Sequence, residues 1–386
     1  MVPIQYNLRS LWVRKVTTIA TAAGVALVVF VFGAALMLSA GVHKAMRISG
    51  REDTAIVLRD GSAAELPSSF SADLVNLIRD RPEVKQGEGN GAVGEVIVVL
   101  TVDVTDGTGI SNVMLRGVPP ESYKFRPEVK IVSGRMPTPG TNEAIVGKAI
   151  RGRFKGVEEG KKFDVRNNRP LNVVGTFSAG GSSYESEVWA DVGVLRDSLG
   201  RPSVVSSARV RLNNKKDLQA FRTSLESDKR LGVDVLRETD YYEKQSEQTA
   251  GFLGGLGTMF AILLSLAAMI FASITMNGAV ANRTREIGTL RALGFSKLAI
   301  LTSFLLEAIF LALVGGAVGT ALVMVMGLFT FSTMNFQTFS EIVITFTATP
   351  EIVFNALFFS IIMGLIGGLF PAIRASRVSP IEAMRA

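Results

Sequence analysis

Four long apolar runs set the terms on which this 386-residue chain folds. They lie at about Thr17–Val42, Gly251–Met276, Leu298–Phe331 and Glu351–Phe370. The second carries no charge, and the third carries one, Glu307. A hydrocarbon core roughly 30 Å thick needs about 20 apolar residues in a helix, so each run is long enough to span it. Between His43 and Gln248 no comparable run occurs. That stretch, about 200 residues, is long enough to bury a core of its own. The expected fold is an α-helical membrane protein. It has four transmembrane helices and one large α/β plus β extracytoplasmic domain inserted between helices one and two.

Boundaries follow from the same pattern. A cytoplasmic segment covers 1–16, and spans cover 17–42, 249–277, 298–331 and 351–372. The insert covers 43–248, a cytoplasmic loop 278–297, a short outer loop 332–350 and a cytoplasmic tail 373–386. The net charge of +7 is a topology signal, because of where its basic residues fall. Arg9, Arg14, Lys15, Arg283, Arg285, Arg291, Lys297, Arg374, Arg377 and Arg385 fall in the segments assigned to one face, against Glu286 and Glu382. The loop 332–350 has no Lys or Arg, and the insert nearly balances its charges. Short cytoplasmic loops collect basic residues, so both termini are expected in the cytoplasm and the insert outside an inner membrane. No polyanion patch is left for nucleic acid. The first run resembles a secretory signal with Leu38-Ser39-Ala40 as its cleavage site, but its length favours a retained anchor. Asn7–Lys15 reads either as an interfacial helix or as a solvated tail.

Within the insert, Thr54–Leu58 reads as a strand, and Phe70–Arg79 has helical spacing with Ser71 and Asp73 at its start. Val93–Val104 is a long β-branched strand or a bent pair. Val204–Leu212, Asp217–Ser227 and Val233–Arg237 read as strand, helix and strand. The two flanks, 43–104 and 204–248, thus form one α/β subdomain. The Gly- and Pro-rich middle, 105–203, reads as a mostly β subdomain with short strands such as Lys130–Ser133, Ala144–Val146, Lys162–Val165 and Leu171–Phe177. Tyr241–Gln248 runs into the second span with no Gly or Pro over 238–250, which favours a helical stalk over a flexible linker.

Catalytic chemistry finds no support. Gly147-Lys148-Ala149 and Gly156–Lys162 both miss the G-x-x-x-x-G-K-[ST] spacing of a phosphate loop. With no cysteine and a single histidine, His43, neither a zinc set nor a histidine triad is available. Glu158-Glu159 and Glu185/Glu187 read as solvated loop charges. Glu307 is an ionisable residue inside a span, where charge is costly and by default functional. Pairing with a basic residue such as Arg291 competes with a substrate or proton role. Glycines crowd the spans: Gly251, Gly254, Gly255 and Gly257, then Gly315, Gly316 and Gly319, then Gly364, Gly367 and Gly368. Such spacing lets helices pack closely.

The segment 282–294, NRTREIGTLRALG, is short, charged and helix-prone, and lies between two spans. Ile287, Leu290 and Leu293–Gly294 can present an apolar edge ringed by Arg283, Arg285, Glu286 and Arg291. An apolar centre with a charged rim is ordinary contact anatomy.

Those residues resemble the MacB/FtsX-like family of ABC transporter permeases. The family's R-x-R-E-[IL]-[GA]-x-[LM]-[RK]-A-[LI]-G pattern falls on Arg283, Arg285, Glu286, Ile287, Gly288, Leu290, Arg291, Ala292, Leu293 and Gly294. Its "LLEAIF" glutamate falls on Glu307. The tail LFPAIRASRVSPIEAMRA is similar to the family ending and places Pro371, Ala372, Arg374, Ala375, Pro380, Glu382 and Arg385. VSGRMP…NEAIVGKAI resembles a MacB-type periplasmic segment.

The resemblance implies a non-catalytic permease subunit with no cofactor of its own. ATP and Mg are bound by a separate ABC ATPase, expected in two copies. A second permease copy is also implied, as a homodimer or with a paralogue, in contact with membrane lipids. A periplasmic adaptor and an outer-membrane duct are further possible partners. The loop between spans two and three is implied to be the coupling helix. Substrate (lipid, lipoprotein, peptide or drug) is moved outside the membrane by mechanotransmission. The alternative is an FtsX-like signalling subunit that activates a periplasmic hydrolase or sensor. The large insert favours transport.

Overall fold

A computed structural model describes residues 15–87, 91–105, 107, 109–165 and 170–380. Arg9, Arg14 and the rest of the basic approach before Lys15 lie outside the described residues, as do Glu382 and Arg385. The chain divides into two compact units. One comprises Met1–Ala40, Phe252–Phe329 and Thr345–Ala386; the other comprises Gly41–Gly251 and Thr330–Ile344.

Chain order begins with α1 (Lys15–Ser49). The insert follows with β1 (Thr54–Arg59), β2 (Phe70–Ser71), α2 (Asp73–Arg79), β3 (Ala92–Asp103), β4 (Ile110–Val118) and α3 (Glu121–Phe125). Its middle carries β5 (Lys130–Gly134), β6 (Glu143–Gly147), β7 (Lys162–Asp164), β8 (Pro170–Ser178), β9 (Glu187–Asp191) and α4 (Val192–Ser198). It closes with β10 (Val204–Val205), β11 (Ser207–Arg211), α5 (Leu218–Glu226) and β12 (Val233–Arg237). Then come α6 (Glu238–Asn282), α7 (Thr284–Ala292) and α8 (Lys297–Met326). A hairpin of β13 (Thr330–Met334) and β14 (Glu341–Thr345) leads to α9 (Pro350–Ser376).

In the insert unit, nine strands lie in the order β12-β1-β11-β3-β4-β9-β6-β8-β5, with β7 added against β8. The pairs are antiparallel except β4 with β9 and β6 with β8. Two apolar cores pack on this sheet. One gathers Val57, Ile78, Val210, Phe221 and Val235 from the two flanks. The other gathers Leu115, Val146, Phe154, Val173 and Val188 from the middle. β3 serves both. Ala92–Glu95 pairs with β11, and Val96–Asp103 pairs with β4.

Several local expectations need correction. Phe70 and Ser71 form a short strand against β10, so the helix starts later, at Asp73, with no side-chain cap. Val204–Leu212 is interrupted at Ser206, whose hydroxyl accepts the Ile97 N–H at 3.0 Å. β4 and β9 carry no signal in the sequence reading, yet they form the seam between the two halves of the sheet.

The outer loop 332–350 is not a plain connector. Its β-branched and aromatic residues form the β13–β14 hairpin, which belongs to the insert unit. Val343 joins the second core, and its N–H donates to Ser186 Oγ at 2.9 Å. Arg153 forms an ion pair with Glu341 and donates to Ser332 Oγ at 2.8 Å.

The other unit is built from helices. α1, α6, α8 and α9 are each long and apolar enough to cross a membrane. α6 has 45 residues and runs without a break from the polar YYEKQSEQ stretch into the apolar run. α9 extends beyond the expected 372 to Ser376, so Ala372 and Ala375 are helical and buried.

Small residues bring the helices together. A methyl group on Gly368 would meet Ala308 Cβ at 2.4 Å, and one on Gly364 would meet Ala312 Cβ at 2.6 Å. One on Gly315 or Gly319 would meet the Ala22 or Ala26 carbonyl at 2.5 Å. The Gly251 group behaves differently. Gly257 abuts Ala35, whereas Gly251 and Gly255 face no neighbour within 4 Å. α6 leaves Phe252, Phe260, Ile270 and Ile274 exposed.

Candidate docking elbow

The residues from Arg283 to Lys297 fold into a compact elbow. α7 ends because Gly294 adopts φ +93°, a left-handed conformation that an L side chain resists. The Phe295 N–H donates to the Leu290 carbonyl at 3.2 Å and the Gly294 N–H to the Arg291 carbonyl at 3.2 Å. These are the two bonds of a Schellman stop, and Leu290 and Phe295 pack against the same core beside it. Ser296 then caps α8 by accepting the Ala299 N–H at 3.1 Å.

The elbow's apolar residues divide between inside and outside. Ile287 is only 1% exposed and packs with Val280, Ile300, Phe304, Ala372 and Ala375. Gly288 is buried and Leu290 half-buried against the same core. The expected edge of Ile287, Leu290 and Leu293 is therefore corrected. The first two hold the elbow to the bundle, because α7 turns that face inward. Leu293 stays outside at 72% exposure, joined by Leu298, also at 72%. Arg285, Glu286, Thr289, Ala292 and Lys297 are exposed on the same elbow. The outward surface is a small apolar spot within mixed charge.

Arg283 belongs to the inner set. Its guanidinium is buried, donates to Glu286 at 3.2 Å and to Glu307 at 3.4 Å, and lies 5.4 Å from the Phe304 ring centre. This corrects the expected Arg291 partner for Glu307. Arg291 instead donates to the Phe295 carbonyl at 2.9 Å, tying its own turn. Of the tail motif, Pro371 lies buried within α9, Arg374 is exposed, and Pro380 follows the helix end.

A second concentration of charge, inside the insert, escaped the sequence reading. Glu65, Glu95, Glu187 and Glu238 meet Arg116, Arg126 and Arg209, and all seven side chains are buried. Arg116 grips Glu187 with two bonds of 2.7 and 2.8 Å and reaches Glu95 at 2.9 Å. Arg126 grips Glu95 at 2.6 and 3.0 Å. Arg209 donates to Glu65 at 3.0 Å and pairs with Glu238, in the first turn of α6.

Burial pushes the Glu65 carboxyl up, but Arg116 and Arg209 outweigh that and hold it below the usual carboxylate range. Glu95 is likewise raised by burial and held low by Arg126, Arg116 and Arg209. Burial pushes the Tyr184 hydroxyl up to about 12, and it donates to the Ser49 carbonyl at 3.2 Å. The expectation of solvated Glu185 and Glu187 is thus overturned. Glu187 is in this hub, and Glu185 is buried, accepting the Ala179 and Gly181 N–H groups at 2.7 and 2.9 Å. The signal existed: Glu95, Arg116 and Arg209 each stand between apolar or glycine neighbours within a strand, with both signs represented.

Comparison with known proteins covers both regions. Residues 258–380 match the FtsX-like permease C-terminal family, and residues 16–228 match the MacB-like periplasmic core domain. The macrolide export ATP-binding/permease protein MacB of Photorhabdus laumondii is 28% identical over 228 residues, 56% of this chain and 34% of that protein. The uncharacterized ABC transporter permease YknZ of Bacillus subtilis is 26% identical over 237 residues, 57% of this chain and 55% of that one. The chain thus covers between a third and about half of the length of these relatives. The periplasmic region of MacB from Actinobacillus actinomycetemcomitans matches 53% of this chain and 96% of its own at 13% identity, with a TM-score of 0.39.

Proposed function

Because the chain belongs to the MacB/FtsX-like family of ABC transporter permeases, we propose that it is the membrane subunit of an export system driven by a separate ATPase. In this reading the elbow docks on the ATPase, which binds ATP and Mg. Movement there is delivered to the insert, which drives export or extraction of a lipid, lipoprotein, peptide or drug. The exposed face of α6 suits contact with lipid and with a second permease copy. An adaptor and an outer-membrane duct would complete the route.

One observation carries the docking assignment. The elbow is braced from within by Ile287 and Arg283, yet leaves Leu293 and Leu298 exposed among Arg285, Glu286 and Lys297. An apolar spot of this kind on a well-supported turn, with a charged rim, suits a protein contact. The test is co-purification with the partner ATPase and stimulation of its activity. Leu293→Asp and Glu286→Lys are expected to abolish both while the permease remains folded in detergent. Wild-type binding and stimulation in both variants would overturn the assignment.

A further inference from the structure

The ionic hub inside the insert does not balance its charges. Four buried carboxyls, Glu65, Glu95, Glu187 and Glu238, face three buried guanidiniums, Arg116, Arg126 and Arg209. The Arg51 side chain is nearby but is taken up by Asp53 at 3.0 Å. A buried charge left over is costly, and a carboxyl in that position holds a proton instead. The bonding singles out which one. Glu95 takes two bonds from Arg126 and one each from Arg116, Arg209 and Ser122. Glu187 takes two from Arg116 and one from Trp189 Nε1. Glu65 is held by Arg116, Arg209 and the Ser207 hydroxyl. Glu238 has a single guanidinium, that of Arg209.

Its other contacts are the Arg51 N–H at 3.1 Å and the Tyr184 hydroxyl at 3.4 Å. A tyrosine hydroxyl has one proton to give. Tyr242 accepts from Arg209 at 3.1 Å and donates to the Tyr184 oxygen at 2.9 Å, so the Tyr184 proton points elsewhere. Two acceptors compete for it: the Ser49 carbonyl at 3.2 Å and Glu238. The carbonyl can only accept. With Tyr184 turned to Ser49, the contact to Glu238 is a hydrogen bond only if Glu238 supplies the proton. With Tyr184 turned to an ionised Glu238, the Ser49 carbonyl loses that donor.

Ser49 is the last residue of α1 and Glu238 the first of α6. The two ends lie against each other, since a methyl group on Gly50 would meet Thr239 Cα at 2.8 Å. Glu238 stands well before Gly251, where the apolar run of α6 begins. The charged and titratable groups that face it are Arg209 on β11, Arg126 after α3, Glu95 on β3, Arg51 after α1 and Tyr184 before β9. Burial pushes the Glu238 carboxyl above the usual range, and the attraction of Arg209 and Arg126 does not cancel that.

We propose that Glu238 carries a proton near neutral pH, and that its ionisation turns the Tyr184 hydroxyl from the Ser49 carbonyl to the Glu238 carboxylate. The proton leaves to water, and a neutral hydrogen bond to the end of α1 is exchanged for a charge-assisted one to the start of α6. The hub is thus a pH-sensitive switch between two helix ends. The inference rests on the insert alone and is independent of ATPase docking.

Infrared difference spectroscopy of the full chain in detergent, between about pH 6 and pH 9, tests it, because ordinary carboxyls are ionised throughout that range. The expected result is one protonated-carboxyl C=O band that disappears as pH rises and is missing from Glu238→Gln. Tyr184→Phe removes the donor that favours the ionised form. It is expected to raise the midpoint of the band's loss by about one pH unit or more. No such band in the wild type, or an equal band in Glu238→Gln, would overturn the proposal. So would a band that persists to about pH 9, or an unchanged midpoint in Tyr184→Phe. If Glu238→Gln fails to fold, the wild-type titration and the Tyr184→Phe shift still decide the matter.

Discussion

The Arg283 guanidinium lies 3.4 Å from the Glu307 carboxylate, tying the start of α7 to the third turn of α8. Both side chains are largely withdrawn from solvent. Removing one partner from a buried pair costs more than removing both, because the remaining charge stays buried. Glu307→Ala is expected to destabilise the bundle by about 3 kcal/mol. Replacing both residues, as Arg283→Met with Glu307→Leu, is expected to recover most of that loss. Thermal unfolding in detergent measures it, and additive losses in the double variant would contradict it.

Ile287 and Leu293 are six residues apart and belong to opposite faces of the elbow. Ile287→Ala is expected to cost about 2–4 kcal/mol, as for other core truncations. Leu293→Ala is expected to stay within about 0.5 kcal/mol, as for exposed positions. The same pair is expected to separate in the opposite sense in ATPase pull-down relative to stability, with Leu293→Ala weakening binding at unchanged melting temperature.

Gly294 tests the turn in isolation. A Cβ there would meet nothing within 4 Å, so the only penalty is the left-handed backbone. Gly294→Ala is expected to cost about 1–2 kcal/mol. Gly294→Asn is expected to cost less, because asparagine tolerates that conformation. Equal losses for the two would point to packing instead.

Acidification tests the ionic hub. Glu65 and Glu95 have folded values below their unfolded ones. Their contribution to stability is therefore present above the unfolded value of about 4.3 and is lost as pH falls through the folded values. Hydrogen exchange at β3 and β4 in the full chain, corrected for intrinsic rates, reads out this loss. Protection is then expected to fall below about pH 4. Unchanged protection down to pH 3 would show that the carboxylates are not held low.

Sequence reading located the elements whose signal is local. Three of the four apolar runs lie wholly within long helices, whereas the third, expected to reach Phe331, leaves its helix at Met326 and enters β13 at Thr330; β12 falls where Val233–Arg237 was expected as a strand. The elbow's residues were identifiable from motif and charge, but their division into inner and outer faces was not. Ile287 and Leu293 are equally apolar, and only the rotation of α7 distinguishes them. The hub was missed for a related reason. Glu95, Arg116 and Arg209 are far apart in sequence and meet only through sheet registers, Ser207 opposite Glu95 and Gly117 opposite Val96. The hairpin lies in a short segment between two spans, where length alone points to a connector and only the strands Thr330–Met334 and Glu341–Thr345 show otherwise.

β3 has one further implication. Its first four residues bond to β11 and the next eight to β4, so a single strand is a structural member of both lobes of the insert. Separating the lobes like the jaws of a clamp would mean kinking this strand and forfeiting ladder bonds worth about 1 kcal/mol each.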